Sequence, residues 1–164
     1  MLQLFTINQT KMNYTSPQRI DSNDTSFKVF LAGTIDMGNS EDWQKTVEDK
    51  YKNSVKISFL NPRRKTWNNN LEQVFENPEF FQQVTWELDA LEKSDLIIMN
   101  FLENSKSPIT FLELGLFAKS KKLFIACPKN FYRRGNIEII CNKYSIPLFD
   151  NLDILLDNIN LHLK

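Results

Sequence analysis

The chain has 164 residues, with 20 Lys and Arg against 20 Asp and Glu, so its formal net charge is zero. A neutral domain has no overall attraction to a nucleic-acid polymer or to a membrane surface, and neither is expected as a partner. Hydrophobic residues make up 41% of the chain. No apolar run is long enough for a membrane helix, and no secretory signal is recognisable, so we expect a globular cytoplasmic protein.

The predicted elements begin after a polar segment. Residues 1–26 are rich in Asn, Thr, Ser and Gln and predict a flexible N-terminal arm, with a short strand over residues 2–7 as the alternative. Residues 27–164 predict one domain in which short apolar runs alternate with helical patterns. The predicted strands cover residues 28–32, 56–60, 95–101, 123–127 and 146–148. The predicted helices cover residues 41–51, 78–93, 108–120, 135–143 and 150–163.

Local signals set the ends of these elements. Ser40 and Ser107 are predicted N-caps, and Pro78 suits a first helical position. Residues 67–77 show no clear period and predict a loop. Alternating strands and helices predict an α/β fold with right-handed crossovers. We therefore expect a flavodoxin-like (Rossmann-like) three-layer sandwich with a five-stranded parallel sheet in the order 2-1-3-4-5.

Two predicted helices each carry a glutamate on an apolar stripe. Glu113 lies among Ile109, Leu112, Leu116 and Phe117. Glu87 lies among Phe80, Val84, Leu88 and Leu91 in the preceding helix. A carboxylate in such a place is costly unless it is paired or faces a cavity, which indicates a site. The alternative is that each glutamate reaches solvent or a lysine, for which Lys119, Lys121 and Lys122 are available.

The position of Glu113 in the predicted fold supports the interpretation that it belongs to a functional site. Ligands of an open α/β sheet bind beyond the carboxyl ends of its strands, where the strand order reverses. That place is the crevice between the first and third predicted strands, followed by Gly33, Thr34 and Asp36 and by the loop from Asn100 to Thr110. The positive end of the helix that follows is expected to keep the Glu113 carboxylate ionised. The stretch after the first strand lacks the GxGxxG pattern of dinucleotide sites, and Gly33 alternatively serves only a tight turn.

Arginines follow two other strands at the same predicted edge. Arg63 and Arg64 follow the second strand near Trp67, and Arg133 follows the fourth. Guanidinium groups bind phosphate and aromatic rings stack on bases, although such charge runs also form plain solvated surfaces. The chain has one histidine, His162, and two cysteines, Cys127 and Cys141. This supply predicts no metal, no disulfide and free thiols, and no cofactor is expected.

Several segments together carry a family resemblance. They are VFLAGTIDMG at 29–38, EDWQ at 41–44, NPRR at 61–64, residues 81–95, SPITFLELG at 107–115 and FYRRGN at 131–136. In order and spacing they resemble the nucleoside 2-deoxyribosyltransferase family, in particular its 2-deoxyribosyltransferase-like branch. The similarity extends over about residues 27–149 and implies a flavodoxin-like fold and N-glycosidic bond chemistry.

The resemblance also implies roles for residues. Glu113 matches the family nucleophile, and Glu87 matches a second acid that is an aspartate in characterised members. Asn136 matches an asparagine donated across a subunit interface, which implies a homo-oligomer. Ser107 stands where the family has an aspartate, six residues before Glu113, and this departure bears on the preference for 2-deoxyribose. A tyrosine of classical members near the end of the first strand is absent.

Rim placement and resemblance together predict the substrate contacts. The predicted set is Gly33, Thr34, Asp36, Asp42, Trp43, Arg63, Arg64, Asn100, Ser107, Thr110, Arg133 and Asn136. The expected substrate is a small nucleoside or nucleotide. The favoured activity is transfer of 2-deoxyribose between bases through a glycosyl intermediate on Glu113. The alternatives are hydrolysis of the same bond and nucleotide binding without turnover.

Overall fold

A parallel β-sheet with helices on both faces organises the computed structural model, which describes residues 12–66, 68 and 70–159. The strands are β1 Tyr14–Thr15, β2 Phe27–Gly33, β3 Ile57–Asn61, β4 Leu96–Asn100, β5 Leu123–Ala126 and β6 Leu148–Phe149. The helices are α1 Trp43–Lys50, α2 Pro78–Lys93, α3 Pro108–Phe117, α4 Arg134–Tyr144 and α5 Leu152–Ile159. Residues 70–77 form turns without helix or strand, as predicted.

The sheet order is β1-β3-β2-β4-β5-β6, and each neighbouring pair is parallel. The predicted order 2-1-3-4-5 is present as β3-β2-β4-β5-β6, so the flavodoxin-like α/β prediction is confirmed. The prediction of five strands is wrong, because the described sheet has six.

The extra strand, β1, comes from the segment predicted as a flexible arm. Tyr14 pairs with Leu60 of β3, is fully buried, and donates its hydroxyl to Asp24 Oδ2 at 3.0 Å. Ile20 is also buried, so residues 12–26 pack against the domain. Two apolar side chains that lie far apart in a polar segment produce no hydrophobic periodicity, so the sequence pattern does not predict that they are buried. Residues 1–11, including the alternative strand at 2–7, lie outside the described residues.

The core is divided into two layers by the sheet. Trp86 of α2, Leu114 of α3 and Ile137 of α4 pack on one face, which we name the α3 face. Trp43 of α1 and Leu155 of α5 pack on the other, which we name the α1 face. Successive side chains of a strand point to opposite faces, so each residue at a carboxyl end belongs to one layer or the other.

Helix ends differ in detail from the predictions. Asp42, not Ser40, caps α1, because its carboxylate accepts the Lys45 N–H at 3.0 Å. The helix α3 ends at Phe117 rather than at residue 120, and β6 lies one to two residues later than predicted. The end of the last predicted helix, residues 160–163, lies outside the described residues. No helix within the described part of the chain is long and apolar enough to cross a membrane.

Candidate active site

Glu113 lies on the buried side of α3, which packs on the sheet. Its exposed fraction is 8%, and Thr110 and Leu114 are buried beside it. Ile109, Leu112 and Leu116 are instead 58%, 61% and 60% exposed. The prediction that this apolar stripe faces the core is therefore wrong, because Ile109, Leu112 and Leu116 face outward. The helix is apolar nearly all round, so its periodicity does not say which side packs on the sheet.

Burial dominates the electrostatics of Glu113. Desolvation raises the pKa of its carboxyl group to about 8, and repulsion from Glu87 adds to the rise. Its side chain makes no hydrogen bond or ion pair with any residue in the described ranges. The expectation that the helix terminus keeps this carboxylate ionised is wrong, because Glu113 lies in the second turn and the dipole acts mainly in the first.

Glu87 of α2 is the partner of Glu113 in this electrostatic pair. It is half-buried, and burial raises the pKa of its carboxyl group, while Gln83 and the Arg64 guanidinium oppose the rise. Gln83 Nε2 donates to Glu87 Oε1 at 2.6 Å. Two carboxyl groups that repel each other in a partly dry environment favour a state in which the pair shares one proton.

Gln83 organises the surroundings of Glu87 and was not predicted from the sequence. Its amide nitrogen also donates to the Pro62 carbonyl at 3.0 Å. Its amide oxygen accepts from Ser16 Oγ at 2.5 Å and from Arg64 Nε. The available sequence signal was its position four residues before Glu87, which places the two side chains on one side of a helix.

The predicted phosphate-binding arginines have different surroundings. Arg64 is held by Gln83 and by Glu79, whose Oε1 lies 2.7 Å from Arg64 Nη1. Arg63 donates to the carbonyl oxygens of Gly38 at 2.9 Å and Ser40 at 2.8 Å. It also donates to the Glu41 carbonyl at 3.1 Å. The donors of both guanidinium groups are therefore used within the protein.

Thr34 connects the crevice between β2 and β4 to the start of α3. Its hydroxyl lies 2.6 Å from Ser107 Oγ and accepts the Leu102 N–H at 3.1 Å. Its carbonyl accepts Trp43 Nε1–H at 2.9 Å. Ser107 has a left-handed backbone and no capping hydrogen bond, so its hydroxyl serves this network instead of the helix end.

Ser105 extends the network toward Asp36, and it too was missed. Its hydroxyl donates to Asp36 Oδ1 at 2.9 Å and lies 3.0 Å from Ser107 Oγ. Asp36 has a φ of 49°, a conformation that L residues adopt rarely outside functional or tightly held turns. The structure thus brings together Thr34, Asp36 and Ser107 from the predicted set, and Ser105 joins them.

Gly33 is required by this geometry. It has a φ of 138°, and a Cβ atom here would collide with the backbone carbonyl of Asn100. The close approach of β2 to β4 at the crevice depends on this glycine.

Two predicted residues that follow β5, Arg133 and Asn136, are exposed. Arg133 lies over the Tyr132 ring at 5.6 Å, and the Tyr132 hydroxyl donates to the Lys106 carbonyl at 3.2 Å. Asn136, at the start of α4, is exposed, and its side chain makes no hydrogen bond with the described residues. The structure does not bring Asn136 into contact with Glu113 within one chain.

Three other predicted residues lie away from Glu113. Asp42, Trp43 and Asn100 line a cleft of about 480 Å³ on the α1 face, and Glu113 is not part of its lining. Alternation along β4 explains the separation, since Met99 packs in the layer of α3 and Ile98 in the layer of α1, so that Asn100 points to the α1 face.

The described residues provide neither a cluster of metal ligands nor a reactive thiol. They contain no group of three or more His, Cys, Asp and Glu residues that could hold a metal ion. Cys127 and Cys141 are buried free thiols, and burial raises the pKa of each to about 11, which keeps them protonated and unreactive. His162 and Trp67 lie outside the described residues.

Comparison with known proteins supplies a family. A family model described as "Nucleoside 2-deoxyribosyltransferase like" matches residues 26–131. The match begins before β2 and ends before α4, so it includes Glu87 and Glu113 but not Arg133 or Asn136. A search of curated proteins found no match.

Proposed function

The chain belongs to the nucleoside 2-deoxyribosyltransferase-like family, and we propose that it transfers 2-deoxyribose between nucleobases with Glu113 as nucleophile. The observation that carries the proposal is the buried Glu113 carboxyl group, which lacks a hydrogen-bond partner among the described residues and is coupled to Glu87. A structural carboxyl group is normally paired, whereas an unpaired buried one is typical of catalytic sites.

The two carboxyl groups can act on the two sides of the bond that breaks, one on the sugar and the other on the base. A carboxylate oxygen of Glu113 attacks the anomeric carbon while the C–N bond breaks, and the bonding electrons leave with the base. Glu87, whose raised pKa lets it hold a proton, protonates the departing base. A nitrogen of a second base then attacks the anomeric carbon, its proton passes to the Glu87 carboxylate, and the C–O bond of the ester breaks to release the Glu113 carboxylate.

Sharing one proton prepares this arrangement. Burial, the larger cause of the raised pKa, keeps the proton on Glu113 in the free protein at neutral pH. Moving that proton to Glu87 removes the repulsion between the two carboxyl groups, so Glu113 ionises more readily. The developing positive charge on the sugar favours the same state, because it lies beside the carboxylate in the transition state.

Hydrolysis of the same bond is the second candidate function. It differs only in the second step, where water rather than a base attacks the ester. Hydrolysis remains a candidate because Ser107 stands where the family has an aspartate. A hydroxyl at this position changes the polar groups that can bind the sugar. Binding without turnover is the third.

Substrate contacts are proposed around the hydroxyl network. The Ser105 and Ser107 hydroxyls and the Asp36 carboxylate lie together between β2 and β4. These groups can both donate to and accept from the hydroxyls of a sugar. A small nucleoside or nucleotide therefore remains the proposed substrate, and Arg133, which has no ion pair among the described residues, remains the proposed phosphate contact.

A homo-oligomer is part of the same proposal. Ile109, Leu112 and Leu116 form an exposed apolar surface, the α3 apolar surface, on the helix that carries Glu113. Covering such a surface with a second copy removes it from water. The resemblance further implies that Asn136 completes a neighbour's site, and its exposed side chain is accessible to a second copy.

Base release tests the proposed function. Deoxynucleosides and their 5′-monophosphates are incubated with the protein, with and without a free acceptor base, and free and exchanged bases are separated by chromatography. Glu113→Gln removes the nucleophile, so turnover is expected to fall by about 10³-fold or more. Glu92→Gln makes the same chemical change at an exposed position of α2 and is expected to keep wild-type turnover.

The outcomes separate the candidates. New nucleoside formed only with an acceptor supports transfer, and base release without an acceptor supports hydrolysis. Near wild-type turnover by Glu113→Gln would contradict the mechanism, and a wild-type protein that binds these compounds without releasing base would be a binding module.

A further inference from the structure

The cleft on the α1 face is a second concave site. It opens at the carboxyl ends of β4 and β5, between the N-termini of α1 and α5, and encloses about 480 Å³. Trp43 and Leu152 are among its apolar lining. Its volume lies within the usual range of small-molecule sites, about 300–1,000 Å³. The sheet separates it from Glu113, which lies on the α3 face.

Asn100 contributes an unsatisfied amide to the cleft. Only 4% of the residue is exposed, and its side chain points to the α1 face by strand alternation. Its backbone carbonyl accepts the Thr34 N–H at 2.9 Å, but its side-chain amide makes no hydrogen bond with any described residue. The wholly buried side-chain polar atoms that lack a partner among the described residues are those of Gln44, so the Asn100 amide reaches the open cleft and is free to pair with a ligand there.

The lining carries negative charge. Glu41, Asp42 and Asp153 contribute carboxylates, and no Lys or Arg within the described ranges lines the cleft. Asp42 caps α1 and lies 3.7 Å from Arg63 Nε, so its charge is partly compensated. Glu41 and Asp153 are exposed and have no ion pair with a described residue. A ligand that enters the cleft therefore meets two carboxylates at the rim that have no basic side-chain partner among the described residues, although Asp153 lies in the first turn of α5.

From these observations we infer that the α1 cleft binds a small organic cation, such as an alkyl ammonium or guanidinium compound. The cationic group contacts Glu41 and Asp153, the apolar body packs on Leu152 and Trp43, and a polar end pairs with the Asn100 amide. Guanidinium and ammonium groups form charge-assisted hydrogen bonds with carboxylates. This site is separate from the N-glycosidic reaction and does not depend on it.

Calorimetric titration of the full chain with agmatine tests the inference. Agmatine carries an ammonium and a guanidinium group on an aliphatic body, and glutarate serves as an anionic control of similar length. Saturable binding of agmatine and none of glutarate are expected. Asn100→Ala is expected to weaken agmatine binding by about tenfold, the usual effect of losing a buried hydrogen-bond partner.

Variants that remove charge distinguish binding in the cleft from a general attraction of the cation to surface carboxylates. Glu41→Gln combined with Asp153→Asn is expected to weaken binding by at least about tenfold, because both rim charges are lost. Asp89→Asn, an exposed position on α2, is the matched control and is expected to bind as the wild type. Absence of saturable agmatine binding would overturn the inference. So would equal losses in the rim variant and Asp89→Asn, or an unchanged affinity in Asn100→Ala.

Discussion

At the residue scale, Glu113 combines burial with the absence of a hydrogen-bond partner among the described residues. Neutralising a buried carboxyl group avoids the cost of desolvating its charge, which is why burial raises the pKa to about 8. The folded state therefore keeps this proton at pH values where the unfolded chain has lost it. A carboxyl group that is buried in this way lowers stability at neutral and alkaline pH.

This link between protonation and folding predicts a pH-dependent effect of Glu113→Gln. The ordinary pKa is 4.5 and the folded-state pKa is raised, so the cost to stability grows from about pH 4.5 to about pH 8 and is constant above. Glutamine has no charge to bury. The variant is therefore expected to match the wild type near pH 4.5 and to exceed it by about 2–4 kcal/mol at pH 9.

Urea unfolding at both pH values measures this difference. Glu92→Gln on the exposed side of α2 is expected to show no such pH-dependent gain. An equal stability difference between Glu113→Gln and the wild type at both pH values would mean that the Glu113 carboxyl group titrates normally.

At the scale of elements, the loop between β2 and α1 is held in place by Arg63 from the loop after β3. Its guanidinium donates to three carbonyl oxygens, those of Gly38, Ser40 and Glu41. The loop carries Asp36 in a left-handed conformation, so Arg63 helps to maintain the groups that line the crevice. Arg133, in contrast, is exposed at the start of α4.

These surroundings predict different effects for two arginine variants. Arg63→Ala is expected to raise KM for a deoxynucleoside and for its monophosphate alike, because it disturbs the shape of the crevice. Arg133→Ala is expected to raise KM by about tenfold for the monophosphate only, since only that substrate offers an anionic partner.

Steady-state base release from the two substrates measures both effects. Arg19→Ala, at an exposed position away from the crevice, is the control and is expected to change neither KM. A selective loss of monophosphate affinity in Arg63→Ala would restore Arg63 as a phosphate ligand, and an equal effect of Arg133→Ala on both substrates would remove Arg133 from that role.

At the scale of the whole molecule, the α3 apolar surface lies on the outside of the helix whose inside carries Glu113. Leu112 and Leu116 are 61% and 60% exposed. Burial of large apolar side chains between subunits is the usual source of stability in homo-oligomers. Assembly through this surface would leave the Glu113 site beside the interface.

Introducing charge on this surface is therefore expected to prevent assembly of the proposed oligomer. Leu112→Glu with Leu116→Glu should give a folded monomer with reduced base release, because two carboxylates cannot be buried unpaired in the interface. Light scattering after size-exclusion chromatography measures the mass. Val55→Glu, at another exposed apolar position, should remain assembled. A wild-type protein that is fully active as a monomer would contradict the proposal.

Mixing inactive variants tests whether sites are shared. If a neighbour donates Asn136, Glu113→Gln and Asn136→Ala are each inactive on their own. When equal amounts of the two variants exchange subunits at random, about half of the dimers contain one subunit of each kind and have one intact site. The mixture as a whole is therefore expected to regain about a quarter of wild-type turnover. No recovery after subunit exchange would place Asn136 outside the neighbour's site.

The sequence by itself determined the class of the fold, and it singled out two glutamates, Glu87 and Glu113, whose carboxyl groups repel each other in the structure. Alternating strand and helix patterns depend on residues a few positions apart, so they predict the order β3-β2-β4-β5-β6 without knowledge of packing. Glu87 and Glu113 were recognisable because a carboxylate among apolar residues contradicts its local context. Thr34, Asp36 and Ser107 followed from the rule that loops after neighbouring parallel strands share an edge.

Only the tertiary structure decided which side of α3 is buried, which groups each arginine contacts and on which face of the sheet a residue lies. The helix α3 is apolar on several sides, so its orientation depends on contacts with the sheet. Arg63 meets Gly38 only because two loops far apart in sequence converge. Asn100 is the last residue of β4 and Glu113 lies on the helix that follows β4, yet the two lie on opposite faces of the sheet. Tyr14 becomes part of β1 by pairing with Leu60. Such contacts join distant parts of the chain, and a local pattern carries no information about them.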